Sequence, residues 1–94
     1  MAAEILLSAR AVAEIDEAMV WYENQKPQLG FVFLIAIEDS FRKIAAAPQR
    51  YPLSGKSNLR HFFLQGFPYT IYYEAEKDVI RIAAVWHQRR NQPI

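Results

Sequence analysis

The first information in this sequence is what it lacks. It contains no cysteine, which excludes disulfide bonds and thiolate metal sites and is in keeping with a reducing compartment. Only two histidines are present, without a convergent acidic pair, so a metal site has little support and we expect no cofactor. No apolar run approaches the ~18 residues of a membrane span, and no signal-peptide pattern opens the chain. These absences predict a cytoplasmic protein without a membrane partner.

What is present suits a single domain, 1–94, with one modest core, since 52% of the residues are hydrophobic and 14% aromatic. The net charge of +1 conceals a division of the chain. Residues 1–39 hold two basic and seven acidic residues, net −5, whereas residues 40–94 hold nine basic and three acidic ones, net +6. The basic half is suited to meet phosphate or an acidic protein, although ordinary surface charge explains the pattern equally well.

Three short runs rich in Phe, Tyr, Ile and Val fill the C-terminal part of the chain, at about 57–64, 69–75 and 79–87. Turn residues separate them, with Gly66 and Pro68 in the first gap and Lys77 and Asp78 in the second. This spacing predicts an antiparallel meander of three strands.

The alternation of side chains sorts the last of these strands into two faces. The face predicted to meet the core carries Ile80, Ile82, Ala84 and Trp86, and the other carries Arg81, Ala83, Val85 and His87. Arg81 and His87 should therefore project from the same side of the sheet.

The N-terminal half predicts a short edge strand at 3–7 followed by two helices. Ser8 is a candidate N-cap for a helix to about Asn24, and Pro27 suits the start of a second, which Pro48 stops after about Ala47. The expected buried stripes are Ala11, Ile15, Ala18 and Tyr22, widened by Val12 and Met19, and then Phe33, Ile37, Phe41, Ile44 and Ala45. The two helices are expected to form a hairpin that packs on the sheet.

Four large apolar residues lie off these stripes: Trp21, Phe31, Val32 and Ile35. Packing between the two helices is one explanation, and the pattern alone favours it. The other is an exposed apolar patch that a partner covers.

The order of several short motifs resembles toxins of the RelE/ParE superfamily from bacterial type II toxin–antitoxin systems, and most of all the branch labelled plasmid stabilisation proteins. The motifs are Trp21-Tyr22-Glu23, Leu29-Gly30, Pro48 with Tyr51-Pro52, Leu59-Arg60, Phe67-Pro68-Tyr69, Tyr72-Tyr73, and the ending His87, Arg90, Pro93. The resemblance implies an α+β fold of the RelE-like order β-α-α-β-β-β, with an N-terminal strand and a helical hairpin packed on a small antiparallel sheet. It also implies a cytoplasmic toxin and a cognate antitoxin, which in this family wraps the toxin with a helix and an extended segment. On that basis Trp21, Phe31 and Ile35 become candidate antitoxin contacts. Helix–helix packing and coverage by a partner are then equally favoured as explanations of the apolar residues.

The superfamily contains two activities, and the resemblance leaves both open. RelE-like members cut mRNA on the translating ribosome, whereas ParE-like members poison DNA gyrase. Metal-free RNA cleavage needs an acid, a base and cations around the phosphate. Arg60 and His87 match family positions for phosphate contact and acid–base chemistry, and Arg81 adds charge. Arg89, Arg90 and Lys56 are candidates for binding the target or nucleic acid.

Other features favour gyrase inhibition over cleavage. The net charge is low for a ribosome-dependent nuclease, and Gln88 stands where some family nucleases carry a catalytic Tyr. Arg60 has the alternative of pairing with a carboxylate or an antitoxin, and His87 that of a structural hydrogen bond. We therefore predict a gyrase inhibitor, with a ribosome-dependent endoribonuclease, or a degenerate member that binds antitoxin without toxicity, as alternatives.

Overall fold

The computed structural model of the protein describes residues 3–89. A strand, two helices and three further strands follow one another, which confirms the predicted α+β order. The elements are β1 (Glu4–Leu7), α1 (Ala9–Gln25), α2 (Leu29–Ala46), β2 (Arg60–Phe63), β3 (Tyr69–Glu76) and β4 (Val79–His87). The helices form a hairpin on one face of the sheet, here called the inner face. Neither helix in this part of the chain is long and apolar enough to cross a membrane.

Ser8 starts α1 and also ties it to the sheet. Its Oγ accepts a hydrogen bond from the Ala11 N–H at 3.0 Å and donates one to the carbonyl oxygen of Ala83 at 2.8 Å. The first bond satisfies a helix N–H that has no partner within the helix. The predicted N-cap is therefore confirmed, and the same hydroxyl fixes the start of α1 against β4.

Glu23 holds the turn between the two helices. Its carboxylate accepts hydrogen bonds from the N–H groups of Gln28 at 2.9 Å and Gly30 at 3.1 Å, at the start of α2. A Cβ on Gly30 would lie 2.6 Å from the carbonyl oxygen of Met19, so the helices approach this closely only because residue 30 is glycine. The helix begins at Leu29, two residues after the proline that the sequence pattern favours.

The predicted buried stripes are confirmed at their centres, which are Ala11, Ile15 and Ala18 in α1 and Phe33, Ile37 and Ile44 in α2. Val12 is 44% exposed, so its expected contribution to the core is wrong. Ser40 is buried instead, and its hydroxyl donates to the carbonyl oxygen of Ala36 at 2.8 Å, which removes the cost of an unpaired polar group.

The sheet has the strand order β1-β4-β3-β2 and is mixed. The pairs β2–β3 and β3–β4 are antiparallel as predicted, but β1 joins β4 in parallel, from Glu4 opposite Val79 to Leu7 opposite Ile82. The predicted three-stranded meander is therefore antiparallel throughout, and β1 adds a parallel edge strand whose direction the sequence did not predict. An alternating pattern of side chains reads the same in both directions, so it could identify the edge strand but not its direction.

A β-bulge interrupts the pairing of β3 with β4. Tyr72 lies opposite Ala84, and the next residue, Tyr73, lies opposite Ile82, so Ala83 is an extra residue without a partner position on β3. Such a residue shifts the alternation of every side chain that follows it in the strand.

The bulge changes which side chains of β4 share a face. Ile82 lies on the inner face before the bulge, and Val85 and His87 lie there after it, opposite Ile71 and Tyr69. The predicted two sets are therefore wrong beyond residue 83. Arg81 and Trp86 belong to the outer face, so Arg81 and His87 project from opposite sides of the sheet.

Candidate functional site

An aromatic cluster joins the helical hairpin to one end of the inner face. The ring of Tyr22 stacks on Phe33 at 5.3 Å between centroids and meets Phe67 edge-on at 4.9 Å. Phe33 in turn contacts Tyr69 at 5.4 Å, and Trp21 rests edge-on against Tyr22 at 5.1 Å. Each such pair adds about 0.5–1.5 kcal/mol to the burial of its rings. The cluster thus gives the exposed Trp21 a rigid support.

The environment of Tyr22 keeps its phenol neutral. Burial, and to a smaller extent the neighbouring Tyr69, raise the pKa of Tyr22 above its ordinary value of 10.0. Desolvation disfavours the phenolate because the charged form loses its hydration. The raised pKa of Tyr22 therefore extends the pH range over which its ring stays uncharged within the aromatic cluster.

An open cleft of about 820 Å³ lies between α1 and the end of β4. It is lined by Glu14, Glu17, Ala18, Val20, Trp21, Tyr22, Asn24, Pro68, Tyr69, Val85, His87 and Arg89. Both walls are largely apolar, with aromatic side chains from the cluster and charged groups near them. This volume falls in the range of binding sites for side chains or small ligands.

His87 lies in this cleft with a defined orientation. Its ring meets Tyr69 edge-on at 5.0 Å, and its Nδ1 accepts a hydrogen bond from the N–H of Arg89 at 3.1 Å. A ring nitrogen that accepts must be unprotonated, so the neutral ring carries its proton on Nε2. The structural hydrogen bond considered in the sequence analysis is present.

Arg60 is on the same inner face, but its guanidinium is occupied by the loop between α2 and β2. Nη1 donates to the carbonyl oxygens of Tyr51 at 2.6 Å and Gln49 at 3.3 Å, and Nη2 donates to Oε1 of Gln49 at 2.7 Å. Tyr73 closes the same loop, because its hydroxyl donates to the Pro48 carbonyl oxygen at 2.7 Å. Arg60 therefore serves as an internal clamp, a role that its residue type alone did not indicate.

Burial raises the pKa of Tyr73 to about 12. The nearby positive charge of Arg60 acts in the opposite direction, and Tyr51 adds a smaller rise. The net direction follows from burial, since the ring is fully enclosed and its hydroxyl is already used as a donor.

The three candidate catalytic residues do not meet. Arg60 lies opposite Tyr73 and His87 opposite Tyr69, so the two positions are four residues apart along β3 and two strands apart across the sheet. That separation is roughly 13 Å along the strands and about 10 Å across them. Arg81 is on the other face, opposite Glu74. Residues 3–89 contain no cluster of His, Asp and Glu suited to a metal ion.

The candidate antitoxin contacts are exposed. Trp21, Phe31 and Ile35 have 56%, 62% and 41% of their surface accessible, and Val32 has 50%. Packing between the two helices therefore does not account for these residues. By helical spacing Phe31, Val32 and Ile35 form one surface of α2, here called the hairpin patch. Trp21 belongs instead to the wall of the cleft.

The remaining basic candidates are distributed rather than clustered. Arg89 lines the cleft, and Lys56 is exposed in the turn at Gly55, in the loop that Arg60 clamps. Arg90 lies outside the described residues.

Glu14 is a member of the cleft that sequence reasoning missed. Its Oε1 accepts a hydrogen bond from the N–H of Val85 at 2.8 Å, and its Oε2 pairs with Nε of Arg10 at 3.2 Å. Local sequence could not predict this hydrogen bond, because Glu14 looks like any carboxylate on the polar side of a helix and its partner is 71 positions away in the chain.

Comparisons with known proteins agree with this fold. Residues 5–92 match the family described as the ParE toxin of the type II toxin–antitoxin system, parDE. The fold is similar to a solved chain described as the chromosomal ParDE toxin–antitoxin system from P. aeruginosa, with a TM-score of 0.78 at 15% identity over 90% of this chain and 95% of that one. No curated protein sequence matches.

Proposed function

We propose, from the premise that this chain belongs to the ParE toxin family of type II toxin–antitoxin systems, that a cognate antitoxin silences it by covering the hairpin patch and the cleft. Two features support this. Six large apolar side chains are exposed on the helices, among them Trp21 and the three of the hairpin patch, and exposed aromatic anchors beside a pocket are typical of sites that bind a protein partner. Trp21 is the anchor because Tyr22 holds its ring from behind.

We also propose that the toxin acts in the cytoplasm by inhibiting DNA gyrase. The observation that carries this choice is the separation of Arg60, Arg81 and His87. Cleavage of RNA without a metal needs an acid, a base and cations within reach of one phosphate. Arg60 is bonded to loop carbonyls, Arg81 is on the opposite face, and only His87 borders the open cleft.

The ribosome-dependent endoribonuclease is the second candidate, and one observation favours it. His87 and Arg89 stand together at the open cleft, and the Nδ1 bond of His87 leaves its Nε2 as the proton-bearing nitrogen in the neutral ring. In its imidazolium form a histidine at this place would be a general acid, with Arg89 beside it to stabilise the charge on a phosphate.

Expression of the toxin without its antitoxin separates the two activities. Gyrase inhibition predicts gyrase-dependent double-strand DNA breaks with intact mRNA, and no change in this pattern with His87→Ala. Codon-positioned mRNA cuts that His87→Ala abolishes would instead establish the nuclease. Harmless expression would identify a degenerate member.

A pull-down tests the antitoxin part independently. The toxin is captured with the product of the neighbouring reading frame, first unchanged and then with Trp21→Ala. We expect a stable complex that weakens by roughly 30-fold or more in the variant, as for a typical anchor residue. Unchanged binding would remove Trp21 from the interface.

A further inference from the structure

We propose that the outer face of the sheet, opposite the helices, binds an unpaired nucleobase together with its phosphate. The site is a slot of about 370 Å³ between Phe63 of β2 and Trp86 of β4, here called the outer slot. It is separate from the cleft beside α1, and its residues have no part in the functions proposed above. The proposal therefore goes beyond antitoxin binding and gyrase inhibition and depends on neither.

The register of three strands produces the outer slot. Phe63 lies opposite Thr70 of β3, and Thr70 lies opposite Trp86, so a small side chain stands between two aromatic ones in a single row. Two strand spacings separate the backbones of Phe63 and Trp86 by roughly 10 Å. Aromatic rings in contact have their centroids about 4.5–7 Å apart, so a ring midway between these two side chains contacts both. The row thus has room for one flat ring.

Both walls of the outer slot are supported by a neighbouring side chain. The guanidinium of Arg10 lies 4.9 Å from the centroid of the Trp86 ring, and Glu14 holds Arg10 through a contact of 3.2 Å. Arg10 does not line the slot, so it supports the indole from outside. On the other wall the ring of His61 lies 5.3 Å from that of Phe63. A site whose side chains are already held in place loses less conformational entropy when a ligand binds.

The rest of the outer slot is lined by hydrogen-bonding groups. Thr70 and Tyr72 lie on the central strand and are buried, and Ser54, His61 and Gln88 also line the slot. Their hydroxyl, imidazole and amide groups can donate and accept hydrogen bonds, and the edges of a nucleobase present both kinds of partner. A phenyl ring would bury the same groups without a hydrogen bond, which costs free energy. The lining therefore favours a flat ring with polar edges.

The charges near the outer slot suit a phosphate. Arg10 has 46% of its side chain accessible beside one wall, and Lys56 is exposed in the turn that follows the slot residue Ser54. Glu74 and Glu76 are on the same face, but they lie roughly 13 Å or more from Thr70 along β3. Cations beside stacking rings are the combination by which proteins bind single strands, whose bases are free to leave the stack.

Fluorescence of the purified toxin tests the proposal directly. The chain has two tryptophans, so Trp21→Phe leaves Trp86 as the only indole. We expect a short single-stranded DNA to quench the fluorescence of Trp86, because a base stacks on its ring. The same sequence as a duplex should bind about tenfold or more weakly, since its bases are paired. Single-stranded RNA and adenosine monophosphate are tested in parallel, and the probe that binds most tightly identifies the source of the nucleobase.

Two alanine variants separate stacking from general apolar contact. Phe63 and Leu53 are both exposed, at 63% and 53%, and only Phe63 lines the outer slot. We expect Phe63→Ala to bind a labelled single strand about tenfold or more weakly, Leu53→Ala to bind as the unchanged toxin does, and Phe63→Trp to keep the affinity. Fluorescence anisotropy measures binding, and circular dichroism establishes that the variants fold. If Phe63→Ala does not fold, the quenching of Trp86 decides the question.

Three results would overturn the proposal. The first is equal binding of the duplex and the single strand, and the second is a folded Phe63→Ala that binds as tightly as the unchanged toxin. The third is quenching of Trp86 by N-acetyl-tyrosine amide but by no nucleic acid or nucleotide, which would assign the outer slot to an aromatic side chain of a protein. None of these results changes the antitoxin or gyrase proposals, which the pull-down and the expression experiment test separately.

Discussion

The two ends of the sheet's inner face carry similar residue types and differ in how these are used. At the end of the inner face that carries Arg60, the loop between α2 and β2 folds over the sheet. The carbonyl oxygens of this loop accept hydrogen bonds from the Arg60 guanidinium and the Tyr73 hydroxyl. At the end that carries His87, no loop within residues 3–89 folds over the sheet, and a cleft is present there. The comparison shows that an arginine or histidine at a family position can be a structural clamp at one place and a surface group at the other.

The largest loss of stability is expected for a change in the aromatic cluster, which supports the end of the inner face that carries the cleft. Phe33→Ala should lower the free energy of unfolding by about 3–5 kcal/mol, because Phe33 is fully buried and contacts Tyr22, Phe67 and Tyr69. Phe31→Ala, two residues away and exposed, should change it by about 0.5 kcal/mol or less. Urea denaturation of both variants measures the difference. Similar losses in the two would show that Phe31 is not a surface residue.

The next largest loss of stability is expected at the other end of the inner face, which the loop between α2 and β2 covers. Arg60→Ala should destabilise the fold by about 1.5–3 kcal/mol, since charged hydrogen bonds to Gln49 and Tyr51 are lost. Arg60→Lys should recover little of it, because a single ammonium cannot reproduce the forked contact. Thermal unfolding checks both variants. A neutral Arg60→Ala would mean that the clamp contributes nothing and would return Arg60 to the functional candidates.

A smaller effect, with a pH dependence, is expected at Tyr73. Tyr73→Phe leaves the Pro48 carbonyl oxygen without its donor and should cost about 1 kcal/mol at neutral pH. Because folding raises the pKa of Tyr73 to about 12 from 10.0, its contribution is complete below pH 10 and is lost as the pH rises through 12.

Urea unfolding between pH 9 and pH 12 measures that loss. The phenylalanine variant is the matched control, because it lacks the titrating phenol and should lose less stability over this interval. Parallel curves for the two proteins would show that Tyr73 ionises normally.

The smallest loss of stability is expected at the cleft itself, where His87 lies. His87→Ala should cost about 1 kcal/mol or less, since it removes one edge-on contact with Tyr69 and one hydrogen bond to Arg89. Chemical denaturation compared with Arg60→Ala tests the asymmetry of the two ends directly. A larger loss at His87 than at Arg60 would reverse the comparison.

The parts of the fold that local chemistry determines could be predicted. The Ser8 cap, the apolar spacing of both helices and the turn residues around Gly66 are local signals, and the structure confirms the elements they predict. Exposure of Trp21, Phe31 and Ile35 was one of two open alternatives, and the burial by helix packing that periodicity favoured is wrong. Their role as antitoxin contacts stays a prediction.

The parts that depend on distant pairing could not be predicted. The bulge at Ala83 adds one residue to a strand whose alternation otherwise looks regular, and it moves His87 to the inner face. Likewise no local rule connects Glu14 with Val85 or Arg60 with Gln49. The candidate site residues therefore stay a prediction, but the predicted shared face of Arg81 and His87 is wrong, and the structure does not bring Arg60 close to either of them.

The pairing of β1 with β4 also has a consequence for biosynthesis. Residues 4–7 are synthesised long before their partners at residues 79–82, and the Ser8 hydroxyl bonds to Ala83 across 75 positions. Contacts of such sequence separation form late, because a long loop must close before they contribute. During translation the sheet cannot close until the last strand has left the ribosome. The cleft beside β4 is thus completed only after residues 79–87 have been synthesised.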